Sequence, residues 1–132
     1  MNAAETTQFL KSQVALFKDF PLERLQILVE GSQVSTYEPH EAIIKFGDEG
    51  HFLAIMLDGS AEVSYTDDDG EIHRLAELKT GDILGEISLM TGDKTTADVH
   101  GTVRCRALLI PHTLFLSQIV TFPPAVIYLS RM

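Results

Sequence analysis

Cysteine and basic side chains are scarce in this chain. Its 132 residues include one cysteine, Cys105, so no internal disulfide can form. Ten Lys and Arg stand against nineteen Asp and Glu, giving a formal charge of −9. The basic residues are scattered and only Arg104 and Arg106 lie close together. Nucleic acid is therefore not expected as a partner, since binding a phosphate backbone needs clustered Lys and Arg. No apolar run approaches the ~18 residues of a membrane span, and no signal-peptide pattern opens the chain. The expectation is a cytoplasmic protein with no membrane partner.

Catalytic and metal patterns are missing as well. His40, His51, His73, His100 and His112 form no HxH or HxxxH pair, and two positions after His51 stands Leu53, where a cupin-like site would want a second histidine. Counting an EF-hand loop from Asp67 in "DDDG" puts Leu78 at the position of the bidentate Glu. No GxSxG, CxxC or P-loop is present, and Cys105 alternates with two arginines in a strand-like run, which points its thiol to a core. Neither a metal nor a catalytic nucleophile is expected, and the protein reads as no enzyme.

What is present is one domain's worth of apolar residues, 45% of the chain, in the order helix, strands, helix. In "ETTQFLKSQVALF" the residues Phe9, Leu10, Val14, Leu16 and Phe17 fall on a broad helical face. In "FPLERLQILVEG" Pro21 suits the first turn, Leu22, Leu25, Leu28 and Val29 share a face, and Gly31 suits the stop. From Ser32 to Ile110 the pattern turns to β: "AIIKF", "FLAIML", "AEVSYT", "EIHRLAEL", "ADVHGTV" and "RALLI" are short runs divided by Gly-containing breaks. Turns about every ~10 residues argue for an antiparallel sandwich, roll or barrel. "TDDDGEI" reads as a hairpin tip. Leu114, Phe115, Gln118, Ile119 and Phe122 then return to helical spacing, Pro123-Pro124 breaks it, and "AVIYLSRM" is apolar on nearly every side. That last helix needs a surface to cover it, on the β body, on a second copy or on a linked domain.

The succession "FLKSQVALFKDFPLERLQILVEG", "IIKFGDEGHFLAIMLDGSAEVSYTDDDGEIHRLAELKTGDILGEISLM" and "RALLIPHTLFLSQI" resembles the cyclic nucleotide-binding domain family over almost the whole chain. Within it, "KFGDEG" resembles the family's Gly-Asp loop, "IMLDGSAEV" its strand-Gly-strand hairpin and "LKTGDILGEISLM" its entry into the phosphate-binding cassette. The resemblance implies a mainly β fold: an eight-stranded antiparallel β-roll, jelly-roll-like, over about 32–111, with helices at about 5–30 and 112–132, as a single domain. It implies a regulatory sensor for cAMP or cGMP, with no cofactor, partnered through its C-terminal helices with a second copy or with a linked effector domain.

By the same resemblance Gly85 allows close backbone approach, Glu86 accepts from a ribose 2′-OH, and the backbone of Ile87, Ser88 and Leu89 cradles a phosphate, as helix N-termini generally can. Where the family has an Arg, ten residues after the cassette Gly, this chain has Thr95, preceded by Lys94 and followed by Thr96 and Ala97. A charge-assisted hydrogen bond contributes roughly 1.5–3 kcal/mol, so nucleotide binding is expected to be weaker by ten- to a hundredfold. Three readings follow. Lys94 supplies a flexible cation while Thr95 and Thr96 donate to the phosphate; or the pocket holds a neutral or cationic small molecule; or the roll binds no ligand and serves protein contacts. Lys94 reads first as a solvated turn residue after Gly92-Asp93, and Glu86 alone would suit a helix N-terminus. His40 stands in a turn where the family often has Gly; if that turn requires a positive φ, His is tolerated there at mild strain.

Overall fold

The structure, a computed structural model, describes residues 1–132. α1 (Ala3–Gln13) opens with a reciprocal cap: Asn2 Oδ1 accepts from the Glu5 amide at 2.8 Å, and Glu5 Oε1 accepts from the Asn2 amide at 3.2 Å. The helical face expected as far as Phe17 is interrupted, because Val14 is extended and Ala15–Phe17 forms a 3₁₀ turn. The break drives Val14, Leu16 and Phe17 inward together, and Lys11 holds it by donating to the carbonyls of Lys18 (2.7 Å) and Phe20 (2.8 Å). α2 (Leu22–Glu30) follows Pro21 at its N-cap. Leu25 and Leu28 are fully buried, whereas Leu22, expected on the same face, stays 40% exposed.

Eight strands come next: β1 (Gln33–Tyr37), β2 (Ala42–Ile44), β3 (Phe52–Asp58), β4 (Ala61–Thr66), β5 (Ile72–Leu78), β6 (Ile83–Leu84), β7 (Asp98–Gly101) and β8 (Cys105–Pro111), with α3 (Glu86–Thr91) between β6 and β7. They form two four-stranded sheets in the orders β1-β8-β3-β6 and β2-β7-β4-β5, and every pairing is antiparallel. The fold is thus mainly β with flanking helices. His40, between β1 and β2, has φ 69°, so its turn does require a positive φ, and its amide donates to the Gly101 carbonyl at 2.6 Å.

The first sheet is covered on both sides, which explains why "FLAIML" in β3 is nearly continuous in apolar residues. Leu53, Ile55 and Leu57, with Leu108 and Ile110 of β8, join Leu10, Phe17, Phe20, Leu25, Leu28, Phe115 and Ile119 in one buried cluster under the helices. The alternate residues Ala54, Met56, Cys105, Ala107 and Leu109 meet Ile43, Ala61, Leu84 and Val99 inside the roll. Period-two alternation sends neighbouring residues of one strand into two different cores.

After β8, α4 runs as an α-helical turn (His112–Leu114) continuing into a π-helix (Phe115–Ile119), and α5 (Pro123–Ser130) leaves at 112° to it. Pro123 opens α5 because its missing amide costs nothing in a first turn. No single helix is long and apolar enough to cross a membrane.

Candidate functional site

α3 begins at a backbone position that few residues tolerate. Gly85 has φ 92° and ψ −2°, and a Cβ there would lie 2.9 Å from the Phe52 carbonyl oxygen. Both the left-handed conformation and the close strand demand glycine. The turn follows β6 directly and opens α3.

A cavity of about 210 Å³ lies beneath α3. Its walls are Gly85, Glu86, Ile87 and Ser88 from α3 and its lead-in, Thr95, Thr96 and Ala97 before β7, and an apolar surface of Ile44, Val63, Leu78, Ile83, Leu84 and Val99. Seven of the nine expected site residues therefore share one cavity. Leu89 and Lys94 do not line it. The Leu89 side chain belongs to the core under the helices, and its amide donates to the Gly85 carbonyl at 3.4 Å. Lys94 is exposed on the 92–97 turn, the place its solvated reading gave it.

Glu86 is the one ionisable group in the wall. Its Oε2 is buried with no hydrogen-bond partner, and burial raises its carboxyl above the ordinary value, an effect partly opposed by its own backbone amide. An acceptor held out of water without a donor costs free energy, and it marks where a ligand hydroxyl or N–H would be welcome. No Lys or Arg lines the cavity to neutralise an anion.

Thr95 carries the sharpest departure from expectation. Its hydroxyl donates to the Lys45 carbonyl at 2.5 Å and accepts from the Asp48 amide at 3.0 Å. Its backbone pairs with the same loop, the Thr95 amide donating to the Asp48 carbonyl at 2.8 Å and the Gly47 amide donating to the Thr95 carbonyl at 2.9 Å. The only hydrogen the hydroxyl can donate is thereby committed, so Thr95 ties the 45–48 loop to the cavity edge and has none to spare for a phosphate. Nothing local in the sequence announces this link, because its partners lie 47 and 50 residues away. Asp98 adds to the tie by accepting from the Phe46 amide at 2.9 Å. On the far side of Thr95 a smaller hollow is lined by Asp48, Glu49 and His51 among others, so the surroundings are acidic.

Comparison with known proteins agrees with this architecture. A family described as "Cyclic nucleotide-binding domain" matches residues 34–121. The chain is 28% identical over 130 residues to cGMP-dependent protein kinase 2 of Mus musculus, covering 96% of this chain and 17% of the kinase. Among solved structures it resembles the regulatory subunit of a cAMP-independent protein kinase A from Trypanosoma brucei, at TM-score 0.87 and 26% identity over 98% of this chain and 46% of that one. A mutant of that subunit with Glu→Ala, Thr→Arg and Val→Ala changes is described as bound to cAMP in the A site. The corresponding subunit from Trypanosoma cruzi, bound to guanosine, matches at TM-score 0.86 and 27% identity over 98% of this chain and 45% of that one. The chain spans less than half the length of each of these relatives. With a family match across all eight strands save one residue of the first, and with the two-sheet roll in place, the chain belongs to the cyclic nucleotide-binding domain family.

Proposed function

We propose that this chain is a non-catalytic, ligand-sensing regulatory module whose cavity takes an uncharged nucleoside-class ligand and binds cAMP or cGMP only weakly. One observation carries the reading: the cavity offers a buried, unpartnered carboxylate oxygen at Glu86 and no cation, while the hydroxyl at the family's arginine position is bonded to its own loop. A ribose diol donates to Glu86, an aromatic base covers the apolar wall of Ile44, Val63 and Val99, and no charge has to be stripped of water. A cyclic phosphate in the same place would face Glu86 without compensation.

The trypanosomal relatives support this assignment. One is described as cAMP-independent, another as bound to guanosine, and the mutant bound to cAMP has an Arg in place of a Thr. Its three changed positions lie seven apart and then adjacent, a spacing that matches Ser88, Thr95 and Thr96 here. Gly85, Glu86, Ile87, Ser88, Thr95, Thr96 and Ala97 form the proposed site, held by a jelly-roll-like winding of the two sheets. Calorimetry with guanosine, adenosine, cAMP and cGMP tests the reading. At least one nucleoside is expected to bind ten times more tightly than its cyclic phosphate; a cyclic nucleotide binding as tightly as the nucleosides, or no heat from any of them at millimolar concentration, would overturn it.

A second reading is favoured by α5, where Val126 and Ile127 are 44% and 50% exposed beside Met132 at 61%. An apolar face of this kind suits contact with a second copy or a linked effector domain. Light scattering of the chain with and without residues 124–132 measures whether this face drives self-association.

A further inference from the structure

The helix after β8 ends with a carbonyl that its own ladder cannot satisfy. In the π-helical stretch the Val120 amide reaches back five residues to the Phe115 carbonyl at 3.1 Å. The Phe122 amide then donates to Ile119 at 3.0 Å, not to Gln118, which would be its α-helical acceptor. The π-helical donor for Gln118 would be residue 123, a proline with no amide. Gln118 therefore has no helical donor under either scheme as the segment stands.

Arg24 of α2 supplies the donor from outside. Its Nη1 donates to the Gln118 carbonyl at 3.0 Å and stands 3.5 Å from the Gln118 side-chain oxygen. The same guanidinium lies 4.9 Å from the centre of the Phe122 ring, which also packs against the Phe20 ring at 4.6 Å. At the opposite end of α2, Gly31 leaves just enough room for Leu114, and any Cβ there would collide with Leu114 Cδ1. α2 thus grips both ends of α4.

We infer that Arg24 is the positioning residue that holds the segment after β8 in its π-helical register and so sets the direction in which α5 leaves. The alternative register is defined by the same atoms. With Val120 bonded to Leu116 and Phe122 bonded to Gln118, the stretch is a plain α-helix in which Gln118 needs no outside donor, and the carbonyl left over is that of Ile119, whose α-helical donor would be Pro123. Because each residue of an α-helix turns the chain by about 100°, moving the ladder by one residue rotates everything beyond it and swings Phe122 off Phe20 and Arg24. Each scheme leaves one carbonyl without a helical donor, Gln118 in the π register and Ile119 in the α register, and the guanidinium, by bonding Gln118 and stacking on Phe122, favours the first. π-turns of this kind recur at functional sites in helices. The device does not depend on what fills the cavity.

NMR on the 132-residue chain tests it through backbone NOEs: a 115–120 contact marks the π register, and 116–120 with 118–122 mark the α register. Arg24→Met, which keeps the apolar stem, and Arg24→Ala are expected to exchange the first pattern for the second. They are also expected to change the distance between spin labels at Gln8 and Ser130 by several ångströms. Gln118→Ala leaves the carbonyl in place and is expected to keep the π pattern. Persistence of the 115–120 contact in both Arg24 variants would overturn the inference, as would loss of that contact in Gln118→Ala.

Discussion

Replacing Thr95 by arginine changes two quantities in opposite directions. The substitution removes a hydroxyl that bridges Lys45 and Asp48, two hydrogen bonds at about 0.5–1.5 kcal/mol each, so the fold should lose about 1–3 kcal/mol and several degrees of Tm. The loop is not released, because the backbone pairs of residue 95 with Asp48 and Gly47 survive any side-chain change. Against this, a guanidinium at the cavity edge gives a cyclic phosphate the charge-assisted partner it lacks. That is a gain of roughly 1.5–3 kcal/mol, or about ten- to 150-fold in affinity. Calorimetry at low salt should show cAMP or cGMP binding strengthened by that factor, with nucleoside binding unchanged or weaker. The gain should shrink as salt is added, since the new interaction lies at an open rim. If thermal melting stays cooperative and cyclic nucleotide affinity does not move, the missing cation is not what limits the pocket, and the reasoning fails.

Glu86→Gln should stabilise the free protein near neutral pH and weaken any ligand that donates to the carboxylate. Burial raises the folded-state pKa of Glu86 above the ordinary value of 4.5, so the protonated carboxyl favours folding; stability from this group is full below that value and is lost as pH rises through the folded pKa. Melting curves from pH 4 to 7 should therefore be flatter in the variant, and an unchanged slope would show that Glu86 is not desolvated. Gly85→Ala should cost more than Gly92→Ala, although both glycines are left-handed, with φ 92° and 78°. A methyl at 85 meets the Phe52 carbonyl at 2.9 Å and one at 92 meets nothing within 4 Å, so the difference measured by denaturant unfolding should be about 1–3 kcal/mol. Cys105 is fully buried, and burial pushes its thiol up in pKa, so a thiol reagent should modify it only through opening of the fold, at a rate that follows denaturant.

The features legible in the sequence were those with a local period. Six strand-like runs could be read because short β-rich or alternating stretches are divided by Gly-containing breaks, and the helical blocks at either end because apolar side chains repeat every three to four residues. β1 and β6 could not be read that way. β1 is a sheet edge whose Val34 is 49% exposed, so its pattern carries little contrast, and β6 is two residues that become a strand only by pairing with Ala54 and Ile55. Val14 keeps a helical period in sequence and leaves the helix in space, because Val14, Leu16 and Phe17, three of four consecutive residues, are buried together. The π register of 115–119 was equally hidden, since 3.6- and wider-turn helices share the spacing of Phe115 and Ile119.

At the site the same division holds. The Gly85-Glu86 helix start was readable through the family resemblance, whereas the left-handed φ of Gly85 is set by the approach of the Phe52 carbonyl and is seen only in space. Thr95 could be recognised as standing where the family has Arg, yet the partner of its hydroxyl was not visible, because a bond across about fifty residues leaves no trace in spacing. The unpartnered Oε2 of Glu86 is a property of enclosure, which sequence alone does not supply.

The first sheet divides its side chains unevenly. Leu53, Ile55, Leu57, Leu108 and Ile110 face the helices, and toward the roll interior the alternate positions include Ala54 and Ala107, with Ala61 opposite. Leu84 and Val99, which wall the cavity, rest on that alanine-lined layer. The pocket therefore has an adjustable back: enlarging Ala54 or Ala107 by one or two methyls would press its wall forward and shrink the space for a base without altering any residue a ligand touches. The size of this space is thus set in part by residues that do not line it.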